Sequence, residues 1–251
     1  MKVAVVTAYH KEPEAIVRRC VESVASQSVP VTHFVVSDGF PRPFLDDLPL
    51  RHVTLGAAHG DAGDTPRAVG SMLAAREDFD AITYLDVDNY YLADHIELMC
   101  EAQASADAEV VAGTRFFVRP DNSVLPYPEN DPEQHVDTNC MFITRPAFDA
   151  VAIWGSIPKP FSIFGDRVIW AAIKARGYRR THVSEPTIAY SMLWASAYRA
   201  CGETPPPEAK DGSAAVKEAL KWWRALTDAE RQGYERQFGM KLNFDVAQDL
   251  A

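Results

Sequence analysis

Two aspartates separated by one residue follow a short apolar run near the middle of the chain. The run Ala81-Ile82-Thr83-Tyr84-Leu85 is typical of a β-strand, and Asp86-Val87-Asp88-Asn89 comes directly after it. Side chains two residues apart in extended backbone point the same way, so Asp86 and Asp88 are expected to converge beyond the strand. Convergent carboxylates repel unless a cation lies between them or one keeps a proton. A hard divalent ion that holds a phosphate meets that need; the alternative is a polar strand end with solvated acids.

The first half of the chain alternates strand and helix signals. Short apolar runs predict strands at 3–6, 34–36, 52–55, 81–85 and 109–112. Apolar spacing and first-turn prolines predict helices after residue 13, over 65–75 and over about 92–104. This alternation predicts parallel pairing with right-handed crossovers. Such sheets bind ligands beyond the carboxyl ends of their strands, which is where Thr7, Tyr9, Asp38 and the two aspartates fall.

The second half is less regular. The stretch 121–137 is rich in Pro, Asn and acids, and 155–165 contains two prolines, so both predict loops. The stretch 138–144 is typical of a strand, and a helix is predicted from Asp166 to a cap at Gly177. The segment 181–190 contains a proline and is expected to be an edge strand at best. After the break at 204–207 two helices are predicted, the second opened by the capping-box pattern Thr227-Asp228-Ala229-Glu230.

Composition limits the classes of function. The chain has 251 residues, 47% of them hydrophobic, which suffices for one sizeable core or two small ones. Its formal net charge of −10 and scattered basic residues argue against nucleic acid or an anionic membrane as partner. No apolar stretch approaches the length of a membrane span, and no signal-type segment follows Met1. The four cysteines lack metal-type spacing, so reduced thiols and a cytoplasmic location are expected. Oligomeric state is open.

Over residues 3 to 190 the chain resembles the family 2 glycosyltransferases of the inverting, GT-A type. The likeness rests on an ordered set of motifs. The opening strand and loop that touch the nucleotide in the family resemble Val5-Val6-Thr7-Ala8-Tyr9-His10-Lys11-Glu12, and a family helix resembles Cys20-Val21-Glu22-Ser23-Val24-Ala25-Ser26-Gln27-Ser28. The family's second strand end resembles Val35-Val36-Ser37-Asp38-Gly39, and its DxD motif resembles Asp86-Val87-Asp88-Asn89. Its late acidic motif resembles Gly165-Asp166-Arg167.

The chain also departs from the family pattern. Ser37 stands where the first of two acids is often found, and Gly165 stands where the late motif commonly has Glu. A QxxRW-type motif, seen in processive members, is absent from the sequence. Together with the lack of membrane spans, this argues against polymer synthesis.

The resemblance implies an α/β fold with a GT-A-like nucleotide-binding sheet flanked by helices and a C-terminal helical extension. It divides the chain into a nucleotide-sugar-binding half (1–115), an acceptor-binding half of the same domain (116–203) and the extension (204–251). It implies a UDP-, GDP- or dTDP-linked sugar as donor and a carbohydrate or other hydroxyl compound as acceptor. Mn²⁺ or Mg²⁺ would bridge the diphosphate to the DxD aspartates, and the resemblance does not choose between them. The roles it implies are a catalytic base at Asp166, nucleotide contacts at Thr7, Tyr9, Asp38, Arg67 and Asp86, metal ligands at Asp86, Asp88 and His182, and acceptor binding at Asp137.

Each of these residues also has a purely structural interpretation. Asp166 precedes a predicted helix and would make a good N-cap. Asp38 could end a strand in an Asx-turn, and Asp137 could simply end the long loop. His182 could be an ordinary strand histidine with satisfied hydrogen bonds. Arg67 differs, because a cation in the first turn of a helix is unfavourable with the helix dipole unless it serves another purpose.

Three other classes of protein are consistent with parts of the sequence. A phosphatase of the haloacid dehalogenase type also has Asp-x-Asp after an apolar strand, with the first aspartate as nucleophile. That motif normally lies on the first strand, and the expected lysine has no candidate between Lys11 and Lys159. A sugar-nucleotide-binding protein without transfer activity stays open because of Gly165. A nucleotidyltransferase is less well supported, since no glycine-rich phosphate loop follows the first strand.

Overall fold

The computed structural model of the chain describes residues 1–242, and its elements alternate as the first half of the sequence predicts. The strands are β1 (Val3–Tyr9), β2 (Val31–Ser37), β3 (Arg51–Thr54), β4 (Ala81–Tyr84), β5 (Tyr90–Tyr91), β6 (Val110–Val118), β7 (Val124–Leu125), β8 (Met141–Thr144) and β9 (Arg180–Ser191). The helices are α1 (Glu14–Ala25), α2 (Asp64–Arg76), α3 (His95–Ala106), α4 (Gly165–Arg176), α5 (Ala195–Ala200), α6 (Ser213–Ala225) and α7 (Asp228–Phe238). Short 3₁₀ helices lie at Pro43–Leu45, Thr138–Cys140, Arg145–Ala147, Val151–Ser156 and Lys159–Phe164.

One sheet organises the fold, with the strand order β3-β2-β1-β4-β8-β6-β9-β5 and β7 paired to β6. Strand β1 runs parallel to β2 and β4, and β2 runs parallel to β3. Strand β8 is antiparallel to both β4 and β6, whereas β9 is parallel to β6. The α/β fold with a sheet flanked by helices is therefore confirmed. The carboxyl ends of β1, β2 and β4 meet at one edge of the sheet.

Helix α2 lies close against this parallel half. Strand β1 is buried along its whole length, as expected of a Val-rich strand covered on both faces. A Cβ on Gly70 of α2 would be 2.5 Å from Cγ1 of Val6, so only glycine allows this approach. The close packing brings the amino end of α2, with Asp64 and Arg67, next to the sheet edge.

The second half differs from the prediction in several places. The predicted loop 155–165 consists largely of 3₁₀ turns and already includes the first residue of α4. The predicted strand 138–144 is a 3₁₀ turn followed by the four residues of β8.

Strand β9 is an edge strand over most of 181–190, as expected, because β6 pairs along its length whereas β5 pairs only with Ile188 and Ala189. Its proline, Pro186, sits opposite Thr114 where the register between the two strands shifts. A proline is tolerated in a sheet at such an irregularity, since its missing N–H interrupts no regular ladder.

The C-terminal helical extension is confirmed for the described residues. The predicted capping box is present, because the Glu230 amide donates to Thr227 Oγ1 at 3.3 Å and the Thr227 amide donates to Glu230 Oε2 at 2.7 Å. Helix α6 packs on the turn before α4, with ring centroids of Trp223 and Phe161 5.3 Å apart. Residues 243–251 of the predicted extension lie outside the described residues, and the division into three segments stays a prediction. Across 1–242, none of the helices has the length and apolar character needed to cross a bilayer.

Candidate functional site

A cavity of about 420 Å³ opens at the edge where β1, β2 and β4 end. Its volume falls within the roughly 300–1,000 Å³ typical of small-molecule sites. The lining includes five of the predicted site residues, Tyr9, Asp38, Arg67, Asp86 and Asp88. It also includes residues that the sequence did not single out, among them Tyr190, Trp194 and Lys210.

Strand register explains why residues distant in sequence share this edge. Tyr9 at the end of β1 lies opposite Ser37 at the end of β2, and the Asp38 amide donates to the Tyr9 carbonyl at 2.7 Å. On the other side of β1, the Leu85 amide donates to the Val6 carbonyl at 3.1 Å, which extends β4 by one residue. Asp38 and Asp86 are thereby held on either side of β1.

Asp38 fixes a loop over the cavity. Its side chain is buried and accepts hydrogen bonds from the amides of His59 and Gly60 at 2.8 and 2.9 Å, and His59 Nδ1 lies 3.0 Å away. Burial raises the pKa of this carboxyl, but the hydrogen bonds lower it by more, so the pKa lies below its usual value. Asp38 is thus an ionised group with both oxygens bound by the protein.

Asp86 is held from two directions. Arg67 Nη2 donates to Asp86 Oδ1 at 2.5 Å, and Asn139 Nδ2 donates to Oδ2 at 3.1 Å. The Asp86 amide in turn donates to Asn139 Oδ1 at 2.6 Å. Burial lowers the pKa of Arg67, but Asp86 and Asp64 raise it above its usual value. The guanidinium therefore stays charged while buried.

Asp88 is in the opposite situation. Over residues 1–242 no other side chain hydrogen-bonds or ion-pairs with its carboxylate, although its backbone carbonyl accepts from Arg19 Nη2 at 2.5 Å. Burial, and then the charge of Asp86, raise the pKa of Asp88 to about 6. Its oxygens line the cavity and are of the kind that Mg²⁺ and Mn²⁺ prefer. The donor set at this point therefore fits a hard divalent cation, with Asp88 the more available ligand.

Thr7 and His182 lie away from the cavity, so the structure does not bring them together with the other predicted site residues. The Thr7 side chain is fully buried, and its hydroxyl lies 2.8 Å from His33 Nε2 in the interior. His182 lies near the start of β9 with Nε2 2.8 Å from Thr114 Oγ1, whereas Tyr190 near the end of β9 lines the cavity. The length of β9 separates His182 from Asp88. In the part of the chain that is described, no three His, Cys, Asp or Glu side chains are grouped as a metal site.

Asp166 lies beside the cavity and not in its wall. It occupies the first turn of α4, whose N-cap is Phe164, so the expectation that Asp166 could be the cap is wrong. Its Oδ2 is 3.3 Å from His135 Nε2, and the Arg167 amide donates to its Oδ1 at 2.7 Å. Burial raises the pKa of Asp166, with His135 acting in the opposite direction. A carboxylate with a raised pKa is suited to accept a proton.

Asp137 is largely committed to the protein itself. It caps the turn Thr138–Cys140, accepting from the Asn139 amide at 2.9 Å and from Asn139 Nδ2 at 2.6 Å, and its Oδ2 is 2.6 Å from Arg115 Nη1. Burial raises the pKa of Asp137, but Arg115 and Asn139 lower it below the usual value. Its acceptor role stays a prediction.

Two residues at the site carry no local sequence signal. Asn139 reaches Asp86 because β8 pairs antiparallel with β4, a long-range pairing that no spacing rule reveals. Lys210 reaches the cavity because it pairs with Trp194 beyond the end of β9. The sequence analysis assigned Lys210 to a separate C-terminal extension. The backbone pairing with Trp194, which sequence spacing does not reveal, places Lys210 at the cavity.

Comparison with known proteins yields a likeness of fold. No family model matches the chain, and no curated protein matches it. Among solved structures, S. aureus TarS 1-349 in complex with UDP is similar at a TM-score of 0.59 and 12% identity, covering 95% of this chain and 70% of that one. TarS 1-349 in complex with UDP-GlcNAc gives 0.59 and 12%, covering 94% and 79%. A longer TarS structure gives 0.57 and 12%, covering 92% of this chain and 45% of that one. The chain therefore shares the overall fold of TarS.

Proposed function

We propose that the chain is a metal-dependent, inverting glycosyltransferase of the family 2, GT-A type that moves a sugar from a nucleotide sugar to an acceptor hydroxyl. The observation that carries the proposal is the cavity lined by Asp38, Arg67, Asp86 and Asp88 at the carboxyl edge of a parallel sheet. The shared fold with TarS, which was crystallised with UDP and UDP-GlcNAc, adds support and makes a UDP-sugar the first donor to test. A hexosyl donor and a cytoplasmic location complete the proposal.

In this proposal the cavity binds the nucleotide diphosphate that leaves during transfer. Tyr9 and the loop held by Asp38 would contact the nucleoside, and Arg67 would keep Asp86 oriented towards the donor. Asp88, with Asp86 beside it, would hold Mn²⁺ or Mg²⁺, which supplies positive charge to the diphosphate as the glycosidic bond breaks. The remaining ligands would be oxygens of the donor or water.

Asp166 is the proposed base. A hydroxyl has a high pKa, so a carboxylate must take its proton as the acceptor attacks the anomeric carbon opposite the leaving group. The proton would pass to Asp166, whose Oδ2 lies 3.3 Å from His135 Nε2. Because Asp166 lies beside the cavity, the acceptor would enter from the side of α4, near Asp137.

A nucleotide-sugar-binding protein without transfer activity is the second candidate. The observation in its favour is that Asp166 does not line the cavity that would hold the donor. The two candidates share a binding site and differ only in turnover.

Calorimetric titration with UDP and Mn²⁺ tests the binding that both candidates require. We expect wild type to bind UDP more tightly with Mn²⁺ than with EDTA, and Asp88→Ala to lose this difference while remaining folded. Asp47→Ala, which removes an exposed carboxylate elsewhere, is the control. Unchanged Mn²⁺ dependence in a folded Asp88→Ala variant would remove the metal site from the proposal.

Release of UDP from UDP-GlcNAc, measured with a panel of hydroxyl acceptors, separates the two candidates. If the chain is a transferase, Asp166→Asn should retain donor binding and lose about two to four orders of magnitude in turnover. Binding without acceptor-dependent turnover in wild type, across donors and acceptors, would favour the binding protein.

A further inference from the structure

The wall of the cavity carries more negative than positive side chains. Glu12, Asp38 and the pair Asp86 and Asp88 contribute carboxylates. A nucleoside diphosphate adds further negative charge, and like charges brought close together repel. Binding therefore depends on which cations of the wall are free to face the ligand.

Arg67 is a cation in the cavity lining, but its guanidinium group already forms ion pairs with carboxylates of the protein. Its Nη2 is 2.5 Å from Asp86 Oδ1, its Nη1 is 3.6 Å from Asp64 Oδ1 and also donates to the Ala62 carbonyl at 2.9 Å. The guanidinium is buried among these groups. Arg67 therefore balances the charge of the protein's own carboxylates and leaves little for a ligand.

Lys210 lines the same cavity and is uncommitted. Within residues 1–242 its ammonium group has no ion pair and no hydrogen bond, and the residue is exposed. Its backbone is fixed, because the Lys210 amide donates to the Leu193 carbonyl at 2.6 Å and the Ala195 amide donates to the Lys210 carbonyl at 2.9 Å. A fixed backbone thus presents a long, exposed cation to the cavity that Asp88 also lines.

We propose that Lys210 binds the diphosphate of the nucleotide, so that the segment 194–210 completes the donor site. The inference rests on the proposed function, since it assigns a residue to the same cavity. An ammonium group on a flexible stem suits a phosphate as a point charge, without the fixed geometry that an arginine demands. The segment Trp194–Lys210 lies beyond residues 3–190, over which the sequence motifs of the family occur, so none of those motifs predicts this contact.

The test compares ligands that differ only in their phosphates. Calorimetry with uridine, UMP and UDP, each with Mn²⁺ and with EDTA, is carried out on wild type, Lys210→Ala, Lys210→Arg and Lys221→Ala. Lys221 is exposed on α6 next to Glu218 and serves as the matched control. We expect Lys210→Ala to weaken UDP binding about tenfold to a hundredfold and to leave uridine binding unchanged. Lys210→Arg should retain most of the UDP affinity because it keeps the charge.

Three results would overturn the inference. UDP affinity that is equal in Lys210→Ala and Lys221→Ala would show that the ammonium group does not contact the diphosphate. Equal weakening of uridine and UDP would mean that Lys210 shapes the cavity instead. Absence of UDP and uridine binding in wild type would reject the proposed function, and the role of Lys210 with it, so the two failures are distinguishable. An unchanged melting temperature establishes that the Lys210 variants are folded.

Discussion

Asp86 and Asp88 differ in what holds them, although they are two residues apart on one strand end. The alternation of an extended chain predicts only that the two side chains point the same way. Asp86 is bound by Arg67 from α2 and by Asn139 from the turn before β8. The Asp88 carboxylate has no such partner among residues 1–242 and lines the cavity. The partners come from other elements, so sequence spacing could predict the pair but not the division of roles within it.

Replacing Asn139 should destabilise the fold as well as the site. Asn139 is fully buried and satisfies the Asp86 amide while donating to Asp86 and Asp137. Asn139→Ala would leave these buried groups short of partners, at a cost of about 2–4 kcal/mol in the free energy of unfolding. Urea denaturation of Asn139→Ala and of Asn130→Ala, a control at an exposed position, measures the loss in the free energy of unfolding. Equal stability of the two variants would contradict the bonding described for Asn139.

At the scale of elements, the contact between α2 and α4 explains a departure from the family pattern. A Cβ on Gly165 would lie 2.9 Å from Asp64 Oδ1 and 3.1 Å from Cζ3 of Trp154. Asp64 is buried, and burial raises its pKa to about 7. Its carboxyl group therefore takes the space in which a side chain at position 165 would begin. The glutamate common at this position in the family has no room while Asp64 is there.

Gly165→Ala should therefore destabilise the protein, although alanine is the better helix former by about 1 kcal/mol. We expect a loss of about 1–3 kcal/mol in the free energy of unfolding, because the buried carboxyl and the Trp154 ring must shift. Gly233→Ala in α7 is the control, since its Cβ would meet nothing closer than Arg236 Nη2 at 4.0 Å, and it should be neutral or stabilising.

Combining Gly165→Ala with Asp64→Ala locates the source of the loss. If the clash with Asp64 dominates, the double variant should lose less than the sum of the single variants, with a coupling energy above about 1 kcal/mol. Strict additivity would assign the loss to Trp154 instead.

For the molecule as a whole, periodicity predicted the parallel half of the sheet and failed where pairing is decided at long range. Continuous apolar runs sufficed for β1, β2 and β4, and they sufficed to bring Asp38 and the two aspartates to one edge. The length of β9 depends on β6, which continues well past the apolar run that predicted it. The order and length of the strands, not residue type, likewise set the distance between His182 and Asp88.

Acid should destabilise the fold through a histidine in its interior. Burial lowers the pKa of His33 to about 3, against about 6.5 in an unfolded chain. Between these values the unfolded state binds a proton that the native state does not, so stability falls as the pH drops below 6.5 and levels off near 3. The contribution is about 1.4 kcal/mol per pH unit.

His33→Gln removes the titrating imidazole and keeps a side chain that can hydrogen-bond to Thr7. Between pH 7 and pH 5, wild type should lose about 2 kcal/mol more unfolding free energy than the variant, measured by urea denaturation. The other titrating groups are common to both proteins and cancel in the difference. Parallel pH profiles would show that His33 already accepts a proton in the native state.

During synthesis on the ribosome, β4 is made well before β8, the strand that covers its free side. At about 5–20 residues per second, the apolar strand Ala81–Tyr84 carries an unpaired edge for several seconds before Met141–Thr144 is added. Such an edge is a template for pairing with another chain. Nascent chains that end before Met141 should therefore depend on chaperones, and those that extend past Thr144 can close the sheet around β4 themselves.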